Sequence, residues 1–212
     1  MRLKNVKGAN EIIEKGTYYI NEPKNYKGHW QELFGNYNPI YIEIGMGKGD
    51  FIIENAIRYP NINFIGIEKF DSVIVRAIQK SNDLELSNLK LIRMDAFEIE
   101  EVFEKEIDRI YLNFSDPWPK ERHAKRRLTS PIFLEKYDHI FKNDADIIMK
   151  TDNNPLFEYS LDSLKTCGYT ITKHTRDLYQ ENIEENIPTE YEKKFTKLGI
   201  KINRLEAKKE LK

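Results

Sequence analysis

The chain has 212 residues, 34 Lys and Arg against 35 Asp and Glu, and a formal net charge of −1; that length suits one well-buried α/β domain rather than two, and a near-neutral chain has no global field to draw in a polyanion, so nucleic-acid contacts must come from local patches. Cys167 is the sole cysteine, which excludes an internal disulfide and the thiolate zinc sites. No apolar run approaches the roughly 20 residues of a membrane span, and the polar start lacks a signal-peptide core, so the expectation is a soluble, cytoplasmic protein.

Residues 1–38 are polar with scattered aromatics and read as an N-terminal extension that covers part of the domain at 39–212. Its one helical signal is Asn10 as a cap for Glu11–Lys15. Trp30, Leu33 and Phe34 fall at helical spacing and suit packing against a sheet better than binding.

Ile40–Ile44 reads as a strand entering a turn with Gly45, Gly47 and Gly49, followed by a helix over Asp50–Arg58 that Pro60 stops. Alternate glycines permit positive φ and let backbone approach a ligand where a Cβ would collide. Many α/β proteins carry such a turn for packing alone, but Glu43 sharpens the reading: its carboxylate would repel a dinucleotide phosphate and attract a cationic amino or sulfonium group. Glu68 ends the next strand, Asn63–Glu68, nineteen residues past Gly49, where an acid accepts from both ribose hydroxyls. The ligand therefore looks like a nucleoside. After a helix at Phe70–Ser81 and a strand at Leu89–Met94, Asp95 is placed to accept from an adenine amino group or to cap a helix starting near Ala96, and the two are not exclusive.

Ile110–Phe114 is a buried strand that leads into Ser115-Asp-Pro-Trp-Pro-Lys120. Pro117 and Pro119 fix two φ angles and remove two donors, which forces a stiff loop. The loop offers an acid, Asp116, a flat ring, Trp118, and then Lys120, Arg122, Lys125, Arg126 and Arg127 against Glu121 alone. That set suits an exposed nucleobase with its phosphates attached; a rigid surface loop with a solvated charge run is the plain alternative. Further on, Pro131 opens a helix to about Phe141, Asp146–Thr151 is a strand, and Asp152 stands before a helix ending near Gly168. Tyr169–His174 and Lys201–Glu206 complete seven strands, and Thr189–Leu198 is a helix with Gly199 beyond it. Thr189 and Glu192 match a capping box. Thr189–Lys212 holds eight Lys or Arg against four Glu, a second basic patch. His29, His123, His139 and His174 have no paired spacing, so no metal site is expected.

Alternating strands and helices predict a Rossmann-like α/β fold, a mostly parallel seven-stranded sheet with helices on both faces. Its strand ends gather Glu43, Glu68, Asp95, Asp116 and Asp152 at one edge, where open α/β sheets bind ligands.

Glu43-Ile-Gly-Met-Gly-Lys-Gly49, Gly66-Ile-Glu68, Asp95, Asn113–Arg127, Lys150-Thr-Asp152 and Thr189-Glu-Tyr-Glu192 together resemble the bacterial tRNA (guanine-N7)-methyltransferases, which act on the variable-loop guanosine at tRNA position 46. The resemblance covers roughly residues 30 to 205; the glycine turn is common to class I methyltransferases, whereas the 115–127 block with Thr189–Glu192 is specific. It implies S-adenosylmethionine as cofactor, with Glu43, Gly45, Gly47, Gly49, Glu68, Asp95 and Asp116 around it; Asp116 is also the candidate catalytic residue. It implies substrate contacts from Lys120, Asp152, Thr189, Glu190, Tyr191 and Glu192, RNA contacts from Arg122, His123, Ala124, Lys125, Arg126 and Arg127, and tRNA as the partner. The chemistry of the residues agrees: guanine N7 carries an in-plane lone pair and no proton, so the enzyme mainly positions two reactants, and Asp116 can hold the guanine N1–H and N2–H or offset growing ring charge. An NAD-dependent oxidoreductase would leave Ser115–Lys120 unexplained, and a noncatalytic RNA-binding module would leave Glu43 and Glu68 with nothing to hold. A methyltransferase of another RNA base is the nearest rival, and the oligomeric state, monomer or homodimer, is not fixed by the sequence.

Overall fold

A computed structural model of the chain describes residues 8–181, 183 and 186–211. The strands are β1 (Tyr19–Ile20), β2 (Ile40–Ile44), β3 (Asn63–Glu68), β4 (Leu89–Arg93), β5 (Arg109–Asn113), β6 (Ala145–Thr151), β7 (Thr170–Thr175) and β8 (Asn203–Lys209). They form one sheet in the order β1-β4-β3-β2-β5-β6-β8-β7, parallel except where β8 inserts antiparallel between β6 and β7. The expected seven strands are all present; the eighth, β1, is only two residues long and pairs with β4 at the far edge. Two residues carry too little periodicity to be read from sequence.

The helices are α1 (Ala9–Glu14), α2 (Trp30–Phe34), α3 (Asp50–Arg58), α4 (Asp71–Ser81), α5 (Ile99–Val102), α6 (Pro131–Ile140), α7 (Asn154–Thr166) and α8 (Glu190–Lys197). Period-two alternation sorts the strand residues between two faces. Ile40, Ile42, Ile44, Ile110, Leu112, Ile147 and Met149 meet α2, α5, α6 and α7 in one core. Phe64, Leu89 and Leu91 meet α1, α3 and α4 on the other face, where Phe51, Tyr111, Ile148 and Ile187 form a third cluster. On that second face the outgoing ends of β2, β5 and β6 place polar residues, Glu43, Asn113 and Lys150, where the neighbours' alternation would continue apolar.

The segment before residue 39 enters the core. Trp30 is fully buried, its indole Nε1–H donating to the Val102 carbonyl at 2.9 Å, and the Glu106 carboxylate accepts from the backbone N–H of Gly28 and Trp30 at 2.9 Å each. Asn10 does not cap α1, because Gly8 in the left-handed region (φ 76°) takes the cap position and makes no side-chain bond. Among the described residues, no helix is long and apolar enough to cross a membrane, and no group of three or more His, Cys, Asp or Glu is placed to hold a metal ion.

Candidate active site

The β2–α3 turn opens on a cavity of about 1170 Å³. Gly45 and Gly47 hold φ of 79° and 60°, and a Cβ built on either would meet nothing within 4 Å, so their backbone faces free space. Gly49 differs from the expectation that all three glycines face the cofactor. Its φ of 81° caps α3, and a Cβ there would stand 2.7 Å from the Ala77 Cβ, so it is glycine to let α3 and α4 pack, and it does not line the cavity.

Four of the five strand-end acids line this cavity: Glu43, Glu68, Asp95 and Asp116. Glu43 is 1 % exposed; its Oε1 accepts from Asn113 Nδ2 at 2.8 Å, while its Oε2 and the Asn113 Oδ1 are buried with no partner. Burial pushes the Glu43 carboxyl up to about 7, with the Asn113 bond and the Lys150 charge pulling the other way. A buried carboxylate oxygen with no donor, at the wall of a cavity, can accept from a cationic group. Glu68 accepts from the backbone N–H of Lys69 (2.7 Å) and Phe70 (3.0 Å) at Oε1 and of Gly47 (3.1 Å) at Oε2, which ties the end of β3 to the glycine turn. Burial raises its carboxyl above the usual range against these three bonds. Asp95 does cap, its Oδ1 accepting from Phe97 N at 3.0 Å, while Lys69 Nζ donates to Oδ2 at 2.6 Å; partial burial opposes ionisation, and the two bonds outweigh it to hold the carboxyl below its ordinary value.

Asp116 stands exposed, three residues beyond β5, on a loop whose backbone is tightly bent: Phe114 and Trp118 adopt φ of 51° and 41°. Non-glycine residues there are strained and need their surroundings to hold them. Arg127 supplies part of that hold, donating from Nε to the Pro117 carbonyl and from Nη2 to the Trp118 carbonyl at 3.1 Å each, with its guanidinium 4.2 Å from the Tyr159 ring centroid. Arg127 thus braces the loop with these two donors. Arg126 lies over the Trp118 ring at 4.9 Å, and His123 meets the same ring edge-on at 5.7 Å, so the indole is sandwiched rather than open. Lys120, Arg122 and Lys125 are exposed, and among the 120–127 residues only Arg126 lines the cavity; His123 and Ala124 are half-buried beside it.

The opposite wall is the start of α8, where Thr189, Glu190 and Tyr191 line the cavity. The capping box exists, Glu192 N donating to Thr189 Oγ1 at 3.0 Å and Thr189 N to Glu192 Oε2 at 3.3 Å. Tyr191 stacks with Phe114 at 6.3 Å, and Lys48 of the glycine turn pairs with Glu190 at 2.7 Å. Glu192 departs from the expectation of a substrate contact: it is fully buried, and its carboxylate also accepts from Lys150 Nζ (2.6 Å), Tyr179 Oη (2.9 Å) and Asn186 Nδ2 (2.6 Å). Asp152 is likewise displaced, lining a separate depression of about 650 Å³ with Asn154, Arg176, Asp177 and Lys201. Sequence reasoning gave no role to Asn113 and Lys150; the available signal was a cation inside the otherwise apolar run Ile147–Met149.

Comparison with known proteins gives the family. Residues 37–205 match a family described as "Putative methyltransferase". The chain is 50 % identical to a tRNA (guanine-N(7)-)-methyltransferase of Lachnoclostridium phytofermentans, covering 99 % of each chain. It is 51 % identical to the Bacillus cytotoxicus enzyme of that name, over 98 % of this chain and 97 % of that one, and 50 % identical to the Bacillus subtilis enzyme, over 97 % and 98 %. Among solved structures, an antibiotic-related methyltransferase superposes with a TM-score of 0.65 at 19 % identity, over 92 % of this chain and 98 % of that one, and the 16S rRNA methyltransferase KamB with 0.67 at 11 %, over 86 % and 93 %; at such identities the likeness shows the Rossmann-like methyltransferase fold alone. Near-full-length identity at this level, joined to the cavity's acids and the specific 115–127 and 189–192 motifs it brings face to face, makes this chain a member of the tRNA (guanine-N7)-methyltransferase family.

Proposed function

We propose that this methyltransferase uses S-adenosylmethionine to methylate N7 of the guanine at variable-loop position 46 of tRNA, acting in the cytoplasm. The observation that carries the reading is the unpartnered Glu43 Oε2 beside a glycine cradle, in a cavity whose other rim bears Asp116 and the loop cations. A carboxylate with one oxygen left without a donor in a dry site fits the ammonium of the cofactor's methionine end, and Glu68, with a single donor on Oε2, fits the ribose hydroxyls. Asp95 fits the adenine side, next to exposed Phe70 and Phe97.

When bound, the cofactor would supply an electrophilic methyl on a sulfonium, open to in-line attack by the guanine N7 lone pair as the methyl–sulfur bond breaks and its electron pair stays on the departing thioether, with no general base needed. What remains for the protein is placement and charge. Asp116, exposed at the cavity rim, accepts from guanine N1–H and N2–H and offsets the positive charge that grows on the purine. The Phe114–Tyr191 stack gives the base a flat wall. Lys120, Arg122 and Lys125 meet the flanking phosphates, and Arg126 bridges them to the cavity. Incubation with tRNA and methyl-labelled cofactor, followed by nucleoside analysis, tests the reading. The expected product is 7-methylguanosine, absent when guanine 46 is replaced by adenine; label in any other nucleoside overturns it.

A further inference from the structure

Four buried polar side chains lie in a row along the sheet edge as two bonded pairs: Glu43 on β2 (1 % exposed) with Asn113 on β5 (6 %), and Lys150 on β6 (2 %) with Glu192 on α8 (0 %). The strand register puts Glu43 beside Tyr111, and Asn113, two residues on, beside Lys150, so the first three share one face of the sheet. Asn113 donates to Glu43 at 2.8 Å, and Lys150 donates to Glu192 at 2.6 Å, to the Ile187 carbonyl at 2.8 Å and to Asn186 Oδ1 at 3.1 Å. Lys150 lies 4.9 Å from the Phe51 ring centroid. The row contains two carboxylates and one cation. Lys150 is bonded to Glu192, which docks the segment carrying Thr189, Glu190 and Tyr191, and its charge acts at longer range on Glu43, which faces the cavity.

We infer that Lys150 is a positioning residue shared by both halves of the reaction: it holds Glu43 ready for a cationic ligand and pins the Asn186–Glu192 segment that walls the base site, so that cofactor binding and the placement of that segment are coupled through the row. The inference rests on the proposed pairing of Glu43 with the cofactor ammonium. Burying an ion pair does not of itself stabilise a fold, since desolvation offsets the attraction, so the row calls for a functional explanation. A ligand cation at Glu43 would balance the surplus carboxylate and free Lys150 to bind Glu192 more tightly, which firms the wall on which the base rests.

The groups that act on Glu43 are Glu68 from β3, Asp50 from the start of α3, Lys150 from β6 and the Asn113 amide from β5. The Lys150 charge favours the ionised Glu43, and the Glu192 carboxylate paired with Lys150 offsets part of that charge. Two substitutions that break the same 2.6 Å contact thus have opposite consequences at the cavity. Lys150→Gln removes the only cation among these groups, and the pH midpoint of S-adenosylmethionine binding should move up. Glu192→Gln removes the anion that offsets the Lys150 charge, while Asn186 and the Ile187 carbonyl still hold the ammonium, and the midpoint should move down. Near neutrality, affinity changes about tenfold for each pH unit of such movement. A purely structural contact predicts weakening in the same direction for both.

The test is calorimetric titration of the full-length protein with S-adenosylmethionine between pH 5.5 and 8.5, where the ligand's own titration is common to every variant. Opposite displacements support the row; equal or absent ones overturn it. If Lys150→Gln does not fold, the direction of Glu192→Gln decides alone. If neither folds, amide hydrogen exchange of the wild-type protein decides: the cofactor should slow exchange at Asn186 and Ile187, which do not line the cavity, and unchanged exchange overturns the coupling. Wild-type protein that binds no S-adenosylmethionine, or Glu43→Gln that binds it as well as wild type, instead condemns the pairing of Glu43 with the ammonium.

Discussion

The two rims of the cavity are built by opposite means. The cofactor side is dry: Glu43 and Glu68 are 1 % and 8 % exposed, both carboxyls are held above their usual range by burial, and most of their oxygens already accept hydrogen bonds from the fold. The RNA side is wet: Asp116, Lys120, Arg122 and Lys125 stand in solvent on a loop held by two left-handed residues and the inward donors of Arg127. A small ligand with one fixed shape can repay the desolvation of a buried charge, because a single well-placed cation meets it. A polyanion is met instead by several hydrated cations, each worth little alone and all sensitive to salt.

This contrast is sharpest at Glu43. An acid whose folded carboxyl titrates near 7 and whose unfolded one titrates near 4.5 binds more protons when folded across that window. Stability without ligand therefore falls as pH rises through that range and is level above it. Glu43→Gln should accordingly raise the stability of the ligand-free protein at pH 8 by on the order of 3 kcal/mol, leave it nearly unchanged at pH 4, and weaken S-adenosylmethionine binding. Denaturant melts at the two pH values check the first part. Equal stability at pH 8 would mean that Glu43 is hydrated and that the two rims do not differ in kind.

On the wet rim, Asp116→Asn keeps the shape and removes the charge. The expected loss is about 10² or more in turnover, the scale for removing a preorganised electrostatic contact, with normal folding because the residue is exposed. Single-turnover rates at saturating cofactor, read beside cofactor affinity, separate the base role from a cofactor role; near wild-type rates would sink the assignment.

Smaller effects refine the picture at α8, which belongs to both rims. Thr189→Ala removes the side-chain half of the capping box and should cost about 1 kcal/mol whether or not RNA is present. A loss of activity beyond what that instability explains would give the Thr189 hydroxyl a part in the base site. The smallest effect belongs to the exposed cations. Arg122→Gln with Lys125→Gln should lower the slope of log affinity for tRNA against log salt by roughly 0.7 to 0.9 for each phosphate that these side chains no longer neutralise, leaving cofactor affinity unmoved. Arg127→Gln should behave differently, loosening the 117–118 turn and lowering turnover more than the slope. If all three act alike, the brace and the phosphate contacts are not distinct.

The sequence by itself determined the alternation of strands and helices, the glycine turn, the stiff proline loop and the capping box, because each is written in short-range chemistry: period, positive φ, fixed φ and a spacing of three. It also marked Glu43, Glu68, Asp95 and Asp116 as strand-end acids, and topology alone then brings them to one edge. Direction and burial were decided only by the tertiary structure. Asp152 follows a strand end as the others do, yet the groups packed about it, Arg176, Asp177 and Lys201 among them, make a different depression. Arg127 closes a run of cations that look alike in sequence, yet its guanidinium finds two loop carbonyls within reach and turns inward. Glu192 reads as a helix cap and a substrate residue alike, yet Lys150, forty-two positions earlier, completes its pairing in the core. Those outcomes depend on which groups long-range packing places within hydrogen-bond distance, and no local pattern carries that information.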